Sequence, residues 1–222
     1  MSTVLVVAAH PDDEVLGCAG TLALHSQRGD EVHVLFLADG EQSRPAAQQQ
    51  HSARQAAARA AGEALGVSSV QFLSFADNAM DSVPLLHIVQ AIEPIIARLA
   101  PDTIYTHFGG DLNIDHRISY QAVLTACRPQ PGQTVRRIYC FEVPSSTEWA
   151  ASAEPAFRPT LFIDTHSVQA QVEAALHCYA TELRPYPHAR SMQAILARQQ
   201  LRGSSVGFTL AEAFVVEREL RP

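Results

Sequence analysis

Cysteine is scarce in this sequence, and the cysteines present form no paired motif. Cys18, Cys127, Cys140 and Cys178 are dispersed along the chain, and no two of them stand in a Cys-x-x-Cys arrangement. Reduced thiols are the simplest account of four dispersed cysteines in a chain of this size. The spacing therefore indicates reduced, mostly buried thiols, and it favours a cytoplasmic location.

An excess of basic charge and long apolar runs are also absent. The formal net charge is −7 at neutral pH, whereas proteins that bind nucleic acid or anionic membranes usually present a basic face. No apolar run approaches the length of a membrane span, and Met1-Ser-Thr leads into a strand rather than a signal peptide. We therefore expect neither a nucleic-acid partner nor a membrane span.

A dinucleotide-binding signature is missing as well. No Gly-x-Gly-x-x-Gly follows the first predicted strand, so a dinucleotide cofactor is not expected. What is present is the composition of an ordinary globular protein, with 222 residues of which 47% are hydrophobic and 18% charged. These values predict one α/β domain spanning residues 1–222.

Apolar runs alternate with helical patterns through the first half of the chain. Strands are predicted at residues 4–10, 31–38, 70–73 and 103–106, and helices at 14–28, 46–65, 83–99 and 118–126. This alternation predicts a Rossmann-like, mostly parallel sheet flanked by helices. Pro94 lies inside the third helix and should kink or split it. Later strands are predicted at 136–143, 160–164 and 211–217, and later helices at 168–179 and 192–202.

A histidine and three acids follow the first strand directly. The buried run from Val4 ends in His10-Pro-Asp-Asp-Glu14, and Pro11 stops the strand because it has no N–H to donate. Ligands bind at this carboxyl edge in open α/β sheets, and imidazole with carboxylate suits zinc and related divalent ions. The alternative is a strand-to-helix turn with capping acids and one incidental histidine.

A second acid–histidine cluster follows the predicted strand at 103–106. It reads Thr106-His107-Phe-Gly-Gly-Asp111-Leu-Asn113-Ile-Asp115-His116-Arg117. By the same rule it lies at the same sheet edge, so His116 can approach His10 and Asp13. Two such clusters together predict a metal site at the C-terminal edge of the strands.

These residues resemble a known family, the PIG-L/LmbE-like zinc-dependent N-deacetylases, which remove acetyl groups from N-acetylglucosamine-type amino sugars. The resemblance starts from Ala9-His-Pro-Asp-Asp-Glu14 with the later Asp115-His116, and it extends to 139–149 and to the segment from Gly203 to Phe214. It implies one zinc ion per chain held by His10, Asp13 and His116, with Asp12 as general base. Glu14 and Asp115 would support the ligands from behind.

One position departs from the family pattern. Many members carry a histidine three residues before the second zinc histidine, where this chain has Asn113. Asparagine can donate a hydrogen bond but cannot act as a cationic acid at neutral pH. Either Asn113 serves only as an oxyanion donor, or a histidine from elsewhere, such as His107 or His188, supplies the charge.

Several loop residues are candidates for binding an amino-sugar substrate. Arg44 has a guanidinium that suits bidentate recognition of a phosphate or sugar oxygen, although a solvated loop arginine is an equal alternative. Trp149 is the only tryptophan, and it either stacks on a sugar ring or covers the sheet edge. The resemblance adds Asp77, His188 and Arg190, for which an acidic turn and a surface loop are the alternatives.

Two other functions remain open at this stage. Paired carboxylates could hold two metals for phosphoester hydrolysis, although only three clear ligands favour one metal. The chain could also be a carbohydrate-binding module without activity, against which the presence of both Asp12 and Asp13 argues. The identity of the N-acetyl substrate stays open, and so does a homo-oligomeric state.

Overall fold

A computed structural model describes residues 1–38 and 47–221, with side chains for all of these except residues 47–52. Its strands are β1 (Thr3–Ala8), β2 (Glu31–Ala38), β3 (Ser69–Phe75), β4 (Thr103–His107), β5 (Arg137–Phe141), β6 (Leu161–Asp164) and β7 (Ala211–Glu219). Its helices are α1 (Asp13–Gln27), α2 (Ala47–Leu65), α3 (Leu85–Leu99), α4 (Ile114–Ala126), α5 (Gln169–Cys178) and α6 (Met192–Ser204).

The strands form one sheet in the order β3-β2-β1-β4-β5-β7-β6. The first five strands pair in parallel, and β7 runs antiparallel to both β5 and β6. The predicted mostly parallel α/β sheet flanked by helices is therefore confirmed. The strand order reverses between β1 and β4, and the crevice at such a switch point is where ligands bind in this class of fold.

Strand β1 is the centre of the sheet and is buried on both faces. Val4 and Val6 pack into a core formed with α1, α2 and α5, whereas Leu5 and Val7 pack into a second core formed with α3 and α4. Side chains alternate across a strand, so a fully apolar run can contribute to two cores at once. The continuous apolar run before His10 thus fixes the sheet between two helical layers.

Helices α4 and α3 each depart from the sequence prediction. Helix α4 begins at Ile114 rather than at residue 118, because the Asn113 side chain caps it by accepting the Asp115 N–H at 2.8 Å. Helix α3 runs from Leu85 to Leu99 as one element with Pro94 inside it, so the proline does not split it. The earlier start of α4 places His116 in its first turn.

Helix α1 is interrupted at Cys18, whose backbone dihedral angles are not helical. Glu212 on β7 satisfies the backbone groups next to this interruption: its carboxylate accepts the N–H of Gly20 at 2.7 Å and the N–H of Thr21 at 2.8 Å. The Thr21 hydroxyl donates to the same carboxylate at 2.6 Å. Glu212 therefore acts as a cap for the second half of α1, supplied by a distant strand.

At about pH 4.5 we expect Glu212→Gln to destabilise the fold by about 1–3 kcal/mol, because an amide nitrogen cannot accept and leaves a buried donor without a partner. Urea unfolding of the variant would measure this loss. Glu217→Gln, on the same strand but less buried, is the control and should stay close to wild type. Equal stability of the two variants would contradict the capping role of Glu212.

The advantage of glutamate at this position should also depend on pH. Burial raises the pKa of Glu212 from its ordinary value of 4.5 to about 7, against the opposing effect of its three donors. Between these values the folded chain retains a proton that the unfolded chain has lost, so this contribution to stability falls as pH rises. The stability difference between wild type and Glu212→Gln should therefore shrink from pH 4.5 to pH 7.

Across the described ranges, no helix is both long enough and apolar enough to span a bilayer.

Candidate active site

The turn between β1 and α1 places the first acid–histidine cluster at the sheet edge. The Asp13 N–H donates to the His10 carbonyl at 3.2 Å, and the His10 N–H donates to Asp13 Oδ2 at 2.8 Å. This reciprocal pair closes the turn tightly around Pro11 and Asp12. The side chains of His10, Asp12 and Asp13 are consequently held close together and buried.

The second cluster meets the first because β1 and β4 are parallel neighbours. His107 ends β4, and its Nε2 accepts the N–H of Ala9 at 2.8 Å, which ties the two strand ends together. His116, in the first turn of α4, then lies within reach of Asp13 although the two residues are distant in sequence. The topology therefore unites the two motifs at the switch point.

His10, Asp13 and His116 form a compact buried group. Their ligand atoms all lie within 4.8 Å of one another, and Asp13 Oδ2 is 3.4 Å from both His10 Nδ1 and His116 Nε2. Asp13 Oδ1 is buried without a hydrogen-bond partner among the described residues. A buried carboxylate oxygen is costly to leave unpaired, so the donor set fits a divalent cation.

Each of these histidines is oriented by a carboxylate on its other nitrogen. His10 Nε2 lies 3.0 Å from Asp77 Oδ1 and 3.0 Å from Asp115 Oδ2, and His116 Nδ1 lies 3.1 Å from Asp111 Oδ1. Such partners fix the tautomer and direct the opposite nitrogen at a metal. Both free nitrogens point toward Asp13.

His10, Asp77 and Asp115 form a second group with metal-ligand spacing. The Asp115 carboxylate already accepts the backbone N–H groups of Asn78 at 2.8 Å and of Met80 at 3.0 Å. Its oxygens are therefore used in fixing the 78–80 turn and the His10 ring. This arrangement favours a supporting role for Asp115 and Asp77 over a second metal position.

The pKa values in the cluster show how strongly it favours a cation. Although burial acts in the opposite direction, Asp13 and Asp111 raise the pKa of His116 to about 9. The neighbouring histidines His116 and His107 hold the pKa of Asp13 well below its usual range, again against burial. A divalent ion would replace the protons on the histidines, so metal binding here would release protons.

His107 lies behind the cluster rather than in it. Its ring stacks on His116 with centroids 3.9 Å apart, and its Nε2 is occupied by the Ala9 N–H. Burial, followed by the charge of His116, lowers the pKa of His107 to about 4. A neutral histidine cannot serve as the cationic acid that would replace the family histidine at Asn113.

Asp12 is buried beside the cluster and faces arginines. Its Oδ2 accepts from Arg190 Nη1 at 2.8 Å and lies 3.6 Å from Arg54 Nη2. Burial raises the pKa of Asp12 to about 6, and the Arg190 charge opposes that rise. A carboxylate with a pKa near 6 can accept and return a proton at neutral pH.

The family assignment rests on comparison with known proteins. The model of the family described as PIG-L, GlcNAc-PI de-N-acetylase, matches residues 5–127, the segment that contains both acid–histidine clusters.

The chain belongs to the PIG-L family.

Relatives of this PIG-L chain include named deacetylases and a hydratase. It is 30% identical over 148 residues to the uncharacterized deacetylase YaiS of Escherichia coli, covering 64% of this chain and 75% of the relative. It is 30% identical over 199 residues to 4-oxalmesaconate hydratase of Pseudomonas putida, covering 79% and 72%. N,N'-diacetylchitobiose deacetylase of Pyrococcus horikoshii has the same fold, with a TM-score of 0.77, 16% identity and coverage of 98% and 84%.

The predicted substrate residues of the PIG-L chain fall into three situations. Arg44 lies outside the described residues, and Asp77 contacts His10 at 3.0 Å.

Trp149 is 53% exposed and meets the His188 ring edge-on at 5.9 Å. His188 Nδ1 accepts the N–H of Arg190 at 3.0 Å, and Arg190 Nε donates to the Ser145 hydroxyl at 2.8 Å. Trp149, His188 and Arg190 thus lie together on the Asp12 side of the site, and their contact with a substrate stays a prediction.

Asn113 uses both ends of its side-chain amide within the protein. Its Oδ1 caps α4, and its Nδ2 donates to Asn78 Oδ1 at 3.2 Å. These two bonds use the oxygen and one N–H of the amide, and neither engages the second N–H. Its predicted role as an oxyanion donor remains a prediction.

Sequence reasoning missed three residues that shape the site. Arg54 and Glu182 form an ion pair at 3.6 Å next to Asp12. Asp111 accepts hydrogen bonds from the hydroxyls of Ser146 and Thr147, and it also contacts His116 Nδ1. Burial opposes these contacts, which together lower the pKa of Asp111 to about 2. Only Asp111 carried a signal, because it stands in the second motif.

Proposed function

We propose that this PIG-L chain is a zinc-dependent amidohydrolase that removes the N-acetyl group from an amino sugar or a glycoconjugate. The observation that carries the proposal is the buried carboxylate of Asp13. Its Oδ2 lies 3.4 Å from one nitrogen of His10 and one of His116, and its Oδ1 has no hydrogen-bond partner among the described residues. Carboxylates fix the outer nitrogens of both histidines. Zinc accepts this nitrogen and oxygen donor set and leaves a fourth position open for chemistry. Imidazole nitrogen also binds copper, iron and nickel, so the same donors would accept another divalent ion.

His10, Asp13 and His116 would hold the ion, with Asp77, Asp115 and Asp111 orienting the two rings. When bound, zinc would supply a Lewis acid that polarises the acetyl carbonyl and lowers the pKa of a water molecule. The three ligands carry one formal negative charge if both histidines are neutral, so the ion would keep part of its positive charge. That charge would also attract the developing oxyanion.

Asp12 would carry the proton through the reaction. As general base it would accept a proton from the attacking water, whose oxygen forms a bond to the acetyl carbon. The C–N bond then breaks, and Asp12 would return the proton to the departing amine, leaving acetate and a free amino group. Its pKa of about 6 suits both halves of this exchange.

A direct test is release of acetate from a panel of N-acetylated amino sugars, including free, nucleotide-linked and lipid-linked forms. Equal amounts of acetate and free amine should appear with the zinc-loaded protein and should disappear after chelation. Release of phosphate from phosphoesters instead would favour the two-metal alternative. Binding of the sugars without any turnover would indicate a module without activity.

A hydratase is a second candidate, because the hydratase relative aligns with 199 residues of this chain and Asn113 cannot protonate a leaving amine as a cation. Addition of water to a carbon–carbon double bond forms no amine, so it does not need that acid. Incubation with conjugated unsaturated dicarboxylic acids would show loss of their ultraviolet absorbance without acetate if this candidate is correct. Acetate release from an amino sugar, with no such loss, would reject it.

Further inferences concern the partner, the domain organisation, the location and the oligomeric state of the protein. We infer a small-molecule amino-sugar partner from membership of the PIG-L family. From the charge and composition of the chain we infer one domain over residues 1–222, a cytoplasmic location and no nucleic-acid partner. A homo-oligomer stays open, and size-exclusion chromatography with light scattering would measure it.

Arg190→Gln should move the acid limb of the kcat/KM profile to higher pH by roughly one unit, because an arginine beside an aspartate lowers the aspartate's pKa. Removing the Arg190 charge lets the pKa of Asp12 rise further, so the base is ionised only at higher pH. A pH–rate series on both proteins would show the shift. Arg184→Gln is the control, since Arg184 lies in the same loop but is exposed and bonds to backbone carbonyls. A higher KM with an unmoved pH profile would instead assign Arg190 to substrate binding alone.

A further inference from the structure

The backbone of Asp12 has an unusual conformation. Its φ is +118° and its ψ is −26°, a region that residues with a side chain rarely adopt because of steric conflict with the backbone. Such a conformation costs free energy and persists only where surrounding contacts hold it. The direction of the Asp12 carboxylate depends on this backbone, so whatever holds the turn also aims the carboxylate.

Glu14 is one of the groups that hold it. Its side chain folds back two residues, and Oε2 accepts the Asp12 N–H at 3.0 Å. Its other oxygen, Oε1, accepts the hydroxyl of Tyr179 at 2.6 Å, across 165 positions of sequence. Both Glu14 and Tyr179 are buried, each with 3% exposure. Glu14 therefore connects a distant tyrosine to the Asp12 backbone.

Tyr179 follows directly after α5, a helix that packs against α1 and α2. Its position is therefore set by the helical layer rather than by the active-site turn. Neither Tyr179 nor Glu14 belongs to the group of candidate metal ligands. A rigid tyrosine in the core can give Glu14 a fixed partner that the turn alone does not supply.

We propose that Tyr179 is a positioning residue for the reaction: its hydroxyl holds Glu14, and Glu14 holds the strained backbone of Asp12 so that the carboxylate faces the site. The inference rests on the proposed role of Asp12 as general base. The alternative is a purely structural role, in which Tyr179 only fills the core between α1 and α5. In that case its hydroxyl would matter for stability and not for turnover.

The experiment compares Tyr179→Phe with the zinc-loaded wild-type chain. Phenylalanine keeps the ring and removes only the bond to Glu14. We expect the Asp12 amide to exchange with deuterium faster in the variant, measured by nuclear magnetic resonance. The Ala9 amide, which donates to His107, should exchange as in the wild type. We also expect kcat to fall about tenfold, as for other groups that support a reacting residue from behind, with KM and zinc content unchanged.

Tyr105→Phe is the matched control. Tyr105 is also buried, and its hydroxyl also has a side-chain partner, His25 Nε2 at 3.0 Å, but it does not reach the Asp12 turn. We expect this variant to lose stability to a similar extent and to keep the wild-type kcat and Asp12 exchange rate. An equal loss of kcat in both variants would overturn the proposal, because a general weakening of the core would then explain it.

A double variant tests whether Tyr179 acts on turnover through Glu14. Adding Tyr179→Phe to Glu14→Gln should cost little further kcat if the tyrosine acts through Glu14, whereas independent effects would multiply. Unchanged Asp12 exchange or unchanged kcat in Tyr179→Phe would overturn the positioning role. Failure of the proposed function would appear differently: Asp12→Asn would keep full activity, while faster Asp12 exchange in Tyr179→Phe would still be observed.

Discussion

Replacing Asp12 by asparagine is expected to leave the zinc content unchanged and to reduce turnover by roughly 10²–10⁴-fold, the usual contribution of a positioned acid–base group. Asparagine keeps the size of the side chain and tolerates positive φ values better than most residues, so the strained turn at φ +118° should survive. What is lost is the oxygen that accepts a proton. Asp12 is not one of the three clustered ligand candidates, so the metal should stay.

Asp13→Asn is the matched comparison, because it makes the same chemical change one residue further along the chain. Asp13 Oδ2 lies 3.4 Å from nitrogens of both His10 and His116, and Oδ1 is the oxygen without a partner in the described structure. A neutral amide in this place removes the anionic ligand of a dication. We therefore expect zinc content and turnover to fall together in Asp13→Asn.

Elemental analysis and turnover should be measured on both variants after identical dialysis. The pair separates the two roles within one motif, which sequence alone cannot do because the residues have the same charge. If Asp12→Asn loses its zinc while Asp13→Asn retains it, the two assignments are reversed. If both retain zinc and full turnover, neither carboxylate takes part in the reaction.

Much of the fold could be predicted from local patterns. The apolar run of β1 predicted a strand buried on both faces, and β2 was predicted at 31–38, the bounds that the structure has. Such elements are determined by the periodicity of hydrophobic residues and by the polar residues at their ends, and both patterns are local. Prediction was weaker where a side chain sets a boundary, as Asn113 does for α4. In that motif the same residue was interpreted as catalytic, and its capping role was overlooked.

The arrangement of the site was predictable only to the level of its motifs. Parallel strands and the switch point brought His116 toward His10 and Asp13, since topology alone decides that meeting. The contacts of Asp12 with Arg54 and Arg190 depend instead on how α2 and the loop before α6 pack. Tyr179 reaches Glu14 from the end of α5, and no spacing rule connects residues 165 positions apart. Tertiary packing therefore supplies the groups that surround the motif.

His116→Ala should lose most of its zinc and, with it, nearly all turnover. His116 is one of the three clustered ligand candidates, and its Nε2 lies 3.4 Å from Asp13 Oδ2. Alanine leaves two protein ligands where a catalytic zinc site has three. The change also removes one of the partners of Asp111 and a neighbour of Asp13, so the folded fraction must be checked by circular dichroism. His10→Ala should behave in the same way.

A histidine outside the site provides the control for these losses. His25 pairs with Asp30 at 2.8 Å, as His116 pairs with Asp111, but it lies at the other end of α1. His25→Ala should therefore keep its zinc and its kcat even if it loses stability. Zinc added back in excess should restore part of the turnover of His116→Ala only if the remaining ligands still bind it weakly. Full zinc occupancy in both His10→Ala and His116→Ala would show that the ligand set is wrong, because a site that keeps its metal without either histidine must be built from other residues.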